Sequence, residues 1–213
     1  MVSTSTSAAT IDGVPQAVQR RYHHGNLREE LLQRAEDLVR DRGAHALSLR
    51  ELAREAGVSH AAPSRHFADR QALLDAVAVR GFERLGAELE AAAAPEADGS
   101  FDARLVRVAT AYVRFAVEQA ALLDLMFAAK HRAPDGPVRT ASDRTFAGVL
   151  ALIAEGQARG TIAPGDAAAP GLVLFAALQG LASICSGGVP DGRDIDTVVR
   201  DAVALLLTGL RPR

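Results

Sequence analysis

Residues 48–67 read SLRELAREAGVSHAAPSRHF, two short helical segments on either side of a glycine turn. Ser48 and Glu51 have the spacing of a capping box, in which each side chain satisfies an unpaired amide at a helix start, and Leu47 and Leu52 have that of a hydrophobic staple. The spacing predicts a helix from Ser48. Leu49, Leu52, Ala53 and Ala56 recur every three or four residues, leaving Arg50, Glu51, Arg54 and Glu55 for water. Gly57 stands where a helix ends with positive φ, and Val58 fits the angle between two helices. Ser59 then caps a second helix, predicting that His60, Ala61, Ser64, Arg65 and His66 face outward, as on a helix that enters a major groove. Pro63 falls in the first turn of that helix, where a missing amide costs little. An ordinary helical corner is the bland alternative; small Ala53, the Gly57–Val58 pair and two N-caps together favour a corner that reads DNA.

The flanks extend this reading. Arg20, Arg21, Tyr22, His23, His24, Asn26 and Arg28 form a basic arm with no acid between Asp12 and Glu29, suited to phosphate contacts whose affinity depends on salt. Asp69 caps the next helix, and Arg70 in its first turn opposes the helix dipole, so it is assigned to the DNA backbone. Ser48 and Arg50 complete the candidate DNA-binding set.

With these residues in view, the chain resembles the TetR family of bacterial transcriptional regulators. The resemblance rests on YHHGNLR from Tyr22, LRELAREAGVSHAAP from Leu49 and RHFADRQALLDAVA from Arg65, with a softer match over AYVRFAVEQAALLDLMF from Ala111 to Phe127. It implies an N-terminal helix-turn-helix domain, a C-terminal helical domain for a small ligand and for dimerisation, and repression of an operator. Family members usually carry a tyrosine, often a phosphate ligand, where this chain has Ser64, whose hydroxyl reaches less far.

Composition sets the wider bounds. The 213 residues, 48 % of them hydrophobic, suffice for two small helical domains. The lone cysteine, Cys185, excludes an internal disulfide and suits a reducing cytoplasm. Residues 1–19, rich in Ser, Thr and Ala, lack the pattern of an export signal and read as a disordered arm. The formal charge of −2 divides into +1 over residues 1–70 and −3 over residues 71–213, so local clustering, not net charge, carries the DNA argument.

Periodicity gives an all-α chain of about nine helices: a three-helix head over residues 20–68 and a ligand-binding and dimerisation domain over 69–213. Asn26 and Glu29 open the first helix and Gly43 closes it; a long helix runs from Asp69 to about Ala92 as a lever; Ser100 restarts the pattern, with breaks at 132–137, 160–166 and 187–193. The apolar run Gly171–Cys185 reads as a helix buried in protein, not a membrane span. With Asp194–Leu210, carrying Ile195, Val198, Val199, Ala202, Val203, Leu206 and Leu210, it forms the expected homodimer surface, which would set two heads on a palindromic double-stranded operator. Tyr112, Phe115, Met126, Phe127, His131, Phe146, Phe175 and Gln179 are candidates for lining an apolar effector pocket, though each aromatic alone also fits plain core. No metal-ligand set, cofactor motif, G-x-S-x-G elbow or H-E-x-x-H helix is present, so neither an enzyme nor a cofactor is expected. A ligand-free architectural DNA-binding protein is the alternative, made less apt by the large second domain.

Overall fold

The structure, a computed structural model, describes residues 27–95, 99–188 and 192–211. Its order is α1 (Leu27–Arg42), a 3-10 turn (Ala44–Ala46), α2 (Leu49–Glu55), a second 3-10 turn (Pro63–Arg65), α3 (Arg70–Ala93), α4 (Phe101–Glu118), α5 (Ala120–Arg132), α6 (Pro137–Ala158), α7 (Ala168–Ser186) and α8 (Ile195–Leu210). Among the described residues there are eight α-helices and no strand.

Local chemistry fixes most boundaries. Asp69, Ser100 and Asp194 each accept a hydrogen bond from the amide three residues on, at 2.7, 3.1 and 2.9 Å, satisfying a donor that the helix start leaves open. The end of α2 is a Schellman turn. Gly57, at φ 65°, donates to Arg54 O, and Val58 donates to Ala53 O at 3.0 Å.

Two boundaries depart from expectation. Ser48 is the extended residue before α2, yet its side chain makes no capping bond; Glu51 instead lies 3.9 and 3.8 Å from the guanidinium groups of Arg42 and Arg54, so the capping box is not formed. The 100–132 stretch, expected to run unbroken, bends at Gln119 (φ −123°, ψ 35°) into α4 and α5. No Gly or Pro marks this bend. It brings Leu122 and Met126, both fully buried, beneath α3.

Helix α3 is the spine. Its 24 residues rise over about 36 Å, and Leu73, Val77, Ala78, Phe82, Leu85 and Leu89 form a buried stripe along it. It packs on α1 at the head end and on α4, α5 and α6 beyond, so one continuous core joins Leu31 in α1 to Leu207 in α8. At Gly81 α5 packs tightly on α3: a Cβ there would lie 2.6 Å from Met126 Sδ.

The last two helices differ from the sequence reading in which faces they hide. By length and composition α7 could cross a bilayer, but only 22 % of its most apolar window is buried in the chain. Leu174, Leu178, Ala182 and Cys185 face inward, while Val173, Ala176, Gly180 and Ile184, spaced three or four apart, form an exposed stripe. The run, expected to be buried in protein and to share in the dimer surface, is covered by its own chain on one side only. On α8, Val199 and Val203, expected on the dimer surface, are buried with Leu207 where α8 packs on α4, and the outward apolar side chain is Leu205.

Candidate nucleic-acid interface and cavity

The segment from Ser59 to Phe67 is built from one proline. An α-helix capped at Ser59 needs residue 63 to donate its amide to Ser59 O, and Pro63 has none. The chain closes with i+3 bonds instead: Ala62 N to Ser59 O at 2.9 Å, Arg65 N to Ala62 O at 3.2 Å and His66 N to Pro63 O at 2.9 Å. A tight turn followed by a 3-10 turn thus replaces the expected α-helix: counted from Ser59, Pro63 would be the fourth helical residue, where its missing amide matters, and it stands instead as the first residue of the 3-10 turn, where it does not. Orientation is as the pattern implied. Pro63 and Phe67 are buried, whereas Ser59, His60, Ala61, Ser64, Arg65 and His66 are all exposed on one short projection.

Other candidate DNA residues divide. Arg50 is exposed on α2 and Ser48 is half-buried at its start. Arg70 Nε donates to Leu47 O at 2.8 Å and Nη2 to Ala44 O at 2.6 Å, so this side chain straps the start of α3 to the loop between α1 and α2. A basic residue against the helix dipole finds its purpose there, satisfying two carbonyls. Arg28 lies over the Phe67 ring at 5.4 Å. Arg20, Arg21, Tyr22, His23 and His24 lie outside the described residues.

Head and spine are joined by charge. Glu36 of α1, only 2 % exposed, pairs with Arg84 and Arg80 of α3; Arg80 Nε lies 3.2 Å from Glu36 Oε2, and the same guanidinium reaches Glu29 and Gln33 of α1. Patterning alone leaves an acid on the apolar face of α1 unexplained; the partners are about 48 residues away in sequence.

Within the helical domain an apolar cavity of about 300 Å³ lies among α3, α4, α5, α6 and α7. Tyr112, Phe127, His131, Phe146 and Phe175 line it. Phe127 and Phe146 stack at 6.5 Å, with Phe175 at 5.7 and 5.8 Å from them and Tyr112 at 5.9 Å from Phe175. Tyr112 donates its hydroxyl to Gln179 Oε1 at 2.7 Å, and burial pushes its pKa above the ordinary value. Gln179 thus acts behind the wall. Phe115 is buried beneath Arg84 at 5.2 Å, and Met126 is buried against α3; neither lines the cavity. Sequence reasoning missed Lys130, which lines it beside His131. One signal was available, since Lys130 is the single lysine beside 23 arginines.

Comparison with known proteins follows the same division. Residues 31–77 match the model for bacterial regulatory proteins of the tetR family, and residues 105–206 match that for the tetracyclin repressor-like C-terminal domain. A protein of unknown function from Rhodococcus is 48 % identical, with a TM-score of 0.81 over 90 % of this chain and 98 % of that one. A TetR family transcription regulator from Marinobacter aquaeolei shares the fold at 21 % identity, with a TM-score of 0.71 over 91 % and 100 % of the two chains. Another, PfmR from Thermus thermophilus, does so at 24 % identity, with a TM-score of 0.63 over 85 % and 99 %. No curated protein matches the sequence.

Proposed function

Because the chain belongs to the TetR family of bacterial transcriptional regulators, we propose that it is a ligand-responsive repressor that binds a palindromic operator as a homodimer. The observation that carries the DNA half is the projection from Ser59 to His66, whose polar side chains are exposed while Pro63 and Phe67 anchor it from beneath. Ser59, His60, Ser64, Arg65 and His66 meet base edges and phosphates, Arg50 adds a phosphate contact, and Arg20, Arg21, Tyr22, His23 and His24 are assigned to the backbone. Arg70 positions the head. The domain boundaries proposed are 20–68 for the head and 69–213 for the rest.

The dimer reading draws on the exposed stripe Val173, Ala176, Gly180 and Ile184 of α7, with Leu172 at 68 % and Leu205 of α8 at 76 % exposure. Such a face is costly in water, and small residues let two copies of α7 approach closely. A two-fold pair would then hold the heads one helical turn of DNA apart, in the cytoplasm where operators lie.

Regulation follows from the spine. A ligand in the aromatic cavity touches α3 at Leu89, α4, α5, α6 and α7, and favours a packing that tilts α3 and moves the heads out of register. Reversing occupancy from 1:99 to 99:1 requires a differential affinity of about 5.5 kcal/mol. Selection of bound fragments from random duplexes tests the reading: enriched inverted repeats that bind two chains are expected, and enrichment of single half-sites or of no sequence contradicts it.

A further inference from the structure

Lys130 stands near the end of α5, half-buried at the cavity wall, with its ammonium 5.8 Å from the Phe127 ring centroid and 5.7 Å from that of Phe146. Among the described residues no carboxylate lies within ion-pair distance of it. The charges that act on it from farther away are Arg139 and Asp143, and these are paired with each other at 2.9 Å. Burial lowers its pKa, the mark of an ammonium that has lost water without gaining a counter-ion. His131 is the neighbouring polar side chain at the wall; the rest of the lining, including Val108, Phe175 and Leu178, is almost wholly apolar.

Three ligand classes can be weighed against this arrangement. Aromatic faces alone suit a cation, but the resident ammonium already covers Phe127 and Phe146 and repels a second positive charge. A neutral apolar ligand would strip further water from Lys130 with nothing in return. An anion with an apolar body restores the lost hydration as a charge-assisted hydrogen bond and leaves the aromatic walls to the body.

We propose that the effector is an amphipathic monocarboxylate, its hydrocarbon body lying against Phe146, Phe175 and the aliphatic lining of Val108 and Leu178 and its carboxylate paired with the Lys130 ammonium. The proposal rests on the reading of this cavity as the effector site. A volume of about 300 Å³ is at the lower end of small-molecule sites, which favours a single medium-length chain or fused ring over a large conjugate.

The test uses the full chain and two matched pairs of probes, decanoate with decanol and naphthoate with naphthol, below their aggregation limits. Calorimetry and thermal melting are followed for the parent and for Lys130→Met and Lys130→Gln. At least one carboxylate should bind tenfold or more tightly than its neutral partner, about 1.4 kcal/mol, with that preference lost in both variants while the neutral partner still binds. Equal binding of acid and neutral partner in the parent, or a preference that survives both substitutions, overturns the inference and leaves the effector-site reading standing. Failure of all four probes to bind or to raise the melting temperature overturns both.

Discussion

Glu36 of α1 and Arg84 of α3 form an ion pair across the junction between head and spine, and the same guanidinium covers the Phe115 ring of α4 at 5.2 Å. Glu36 is 2 % exposed, and while Arg84 Nη1 carries the pair, Arg84 Nη2 is buried with no hydrogen-bond partner. One side chain thus ties the DNA-reading head to the domain that holds the cavity. Glu36→Gln keeps the volume and removes the charge, leaving two arginines facing an amide. Losing one partner of a fully buried pair costs roughly 3–5 kcal/mol; because the arginines are about a third exposed, we expect about 2 kcal/mol, read from chemical denaturation. Arg80→Met should cost less, since Arg84 still holds Glu36. Unchanged stability in Glu36→Gln would show that the junction is held by the apolar core alone.

Gly81 faces Met126 so closely that any side chain must displace it. Gly81→Ala gains up to about 1 kcal/mol of helix propensity, yet it places a Cβ 2.6 Å from Sδ of a fully buried methionine, an overpacking that costs roughly 1–3 kcal/mol. Net destabilisation is expected. In a Met126→Ala background the clash is gone and the same substitution should stabilise, so the sign reverses across a double-mutant cycle. Additive effects would mean that α3 and α5 separate without cost.

Tyr112 supplies a pH test. Its hydroxyl is buried and donates to Gln179, and its pKa is raised above the ordinary 10.0. The folded chain therefore retains a proton that the unfolded chain releases, so this contribution is intact below pH 10 and is lost as pH rises above it. Alkaline unfolding should steepen beyond pH 10, and Tyr112→Phe should flatten that slope while costing about 0.5–1.5 kcal/mol at neutral pH for the lost hydrogen bond. Identical slopes in parent and variant would place the hydroxyl in water.

What could be read in the chain was what is written within a few residues. Asp69, Ser100 and Asp194 cap their helices through the amide three residues on, and the Gly57–Val58 pair ends α2 through bonds to Arg54 and Ala53; each signal is local and each forms. The capping box at Ser48 has equally good spacing and does not form; Glu51 faces Arg42 and Arg54 at 3.9 and 3.8 Å instead. Pro63 was legible as a helix-start residue and illegible as a helix-breaker, since the difference is whether the count begins at Ser59 or later. The bend at Gln119, the burial of Glu36 and the strap from Arg70 depend on partners distant in sequence, where periodicity carries no information. The aromatic part of the cavity was accessible as apolar spacing. Its cation was not marked by position, because a lysine two residues from a helix end reads as a solvated one; only its being the single lysine sets it apart.

Arg65 and Arg70 both lie by the projection, both are exposed, and their substitutions should fail in different ways. Arg65 makes no hydrogen bond or ion pair with another side chain among the described residues and stands on the face proposed to meet base edges. Arg65→Ala should leave the melting temperature unchanged and weaken the selected duplex by about 1–3 kcal/mol, with relaxed preference at one base pair of each half-site. Arg70 holds the carbonyls of Leu47 and Ala44. Arg70→Ala should lower stability by about 1 kcal/mol and weaken all duplexes alike, because the head tilts on α3 without losing a base contact. Anisotropy titrations on matched and scrambled duplexes, alongside thermal melts, separate the two. A specificity change in Arg70→Ala with no loss of stability would place that guanidinium on DNA and make its bonds to Leu47 and Ala44 incidental.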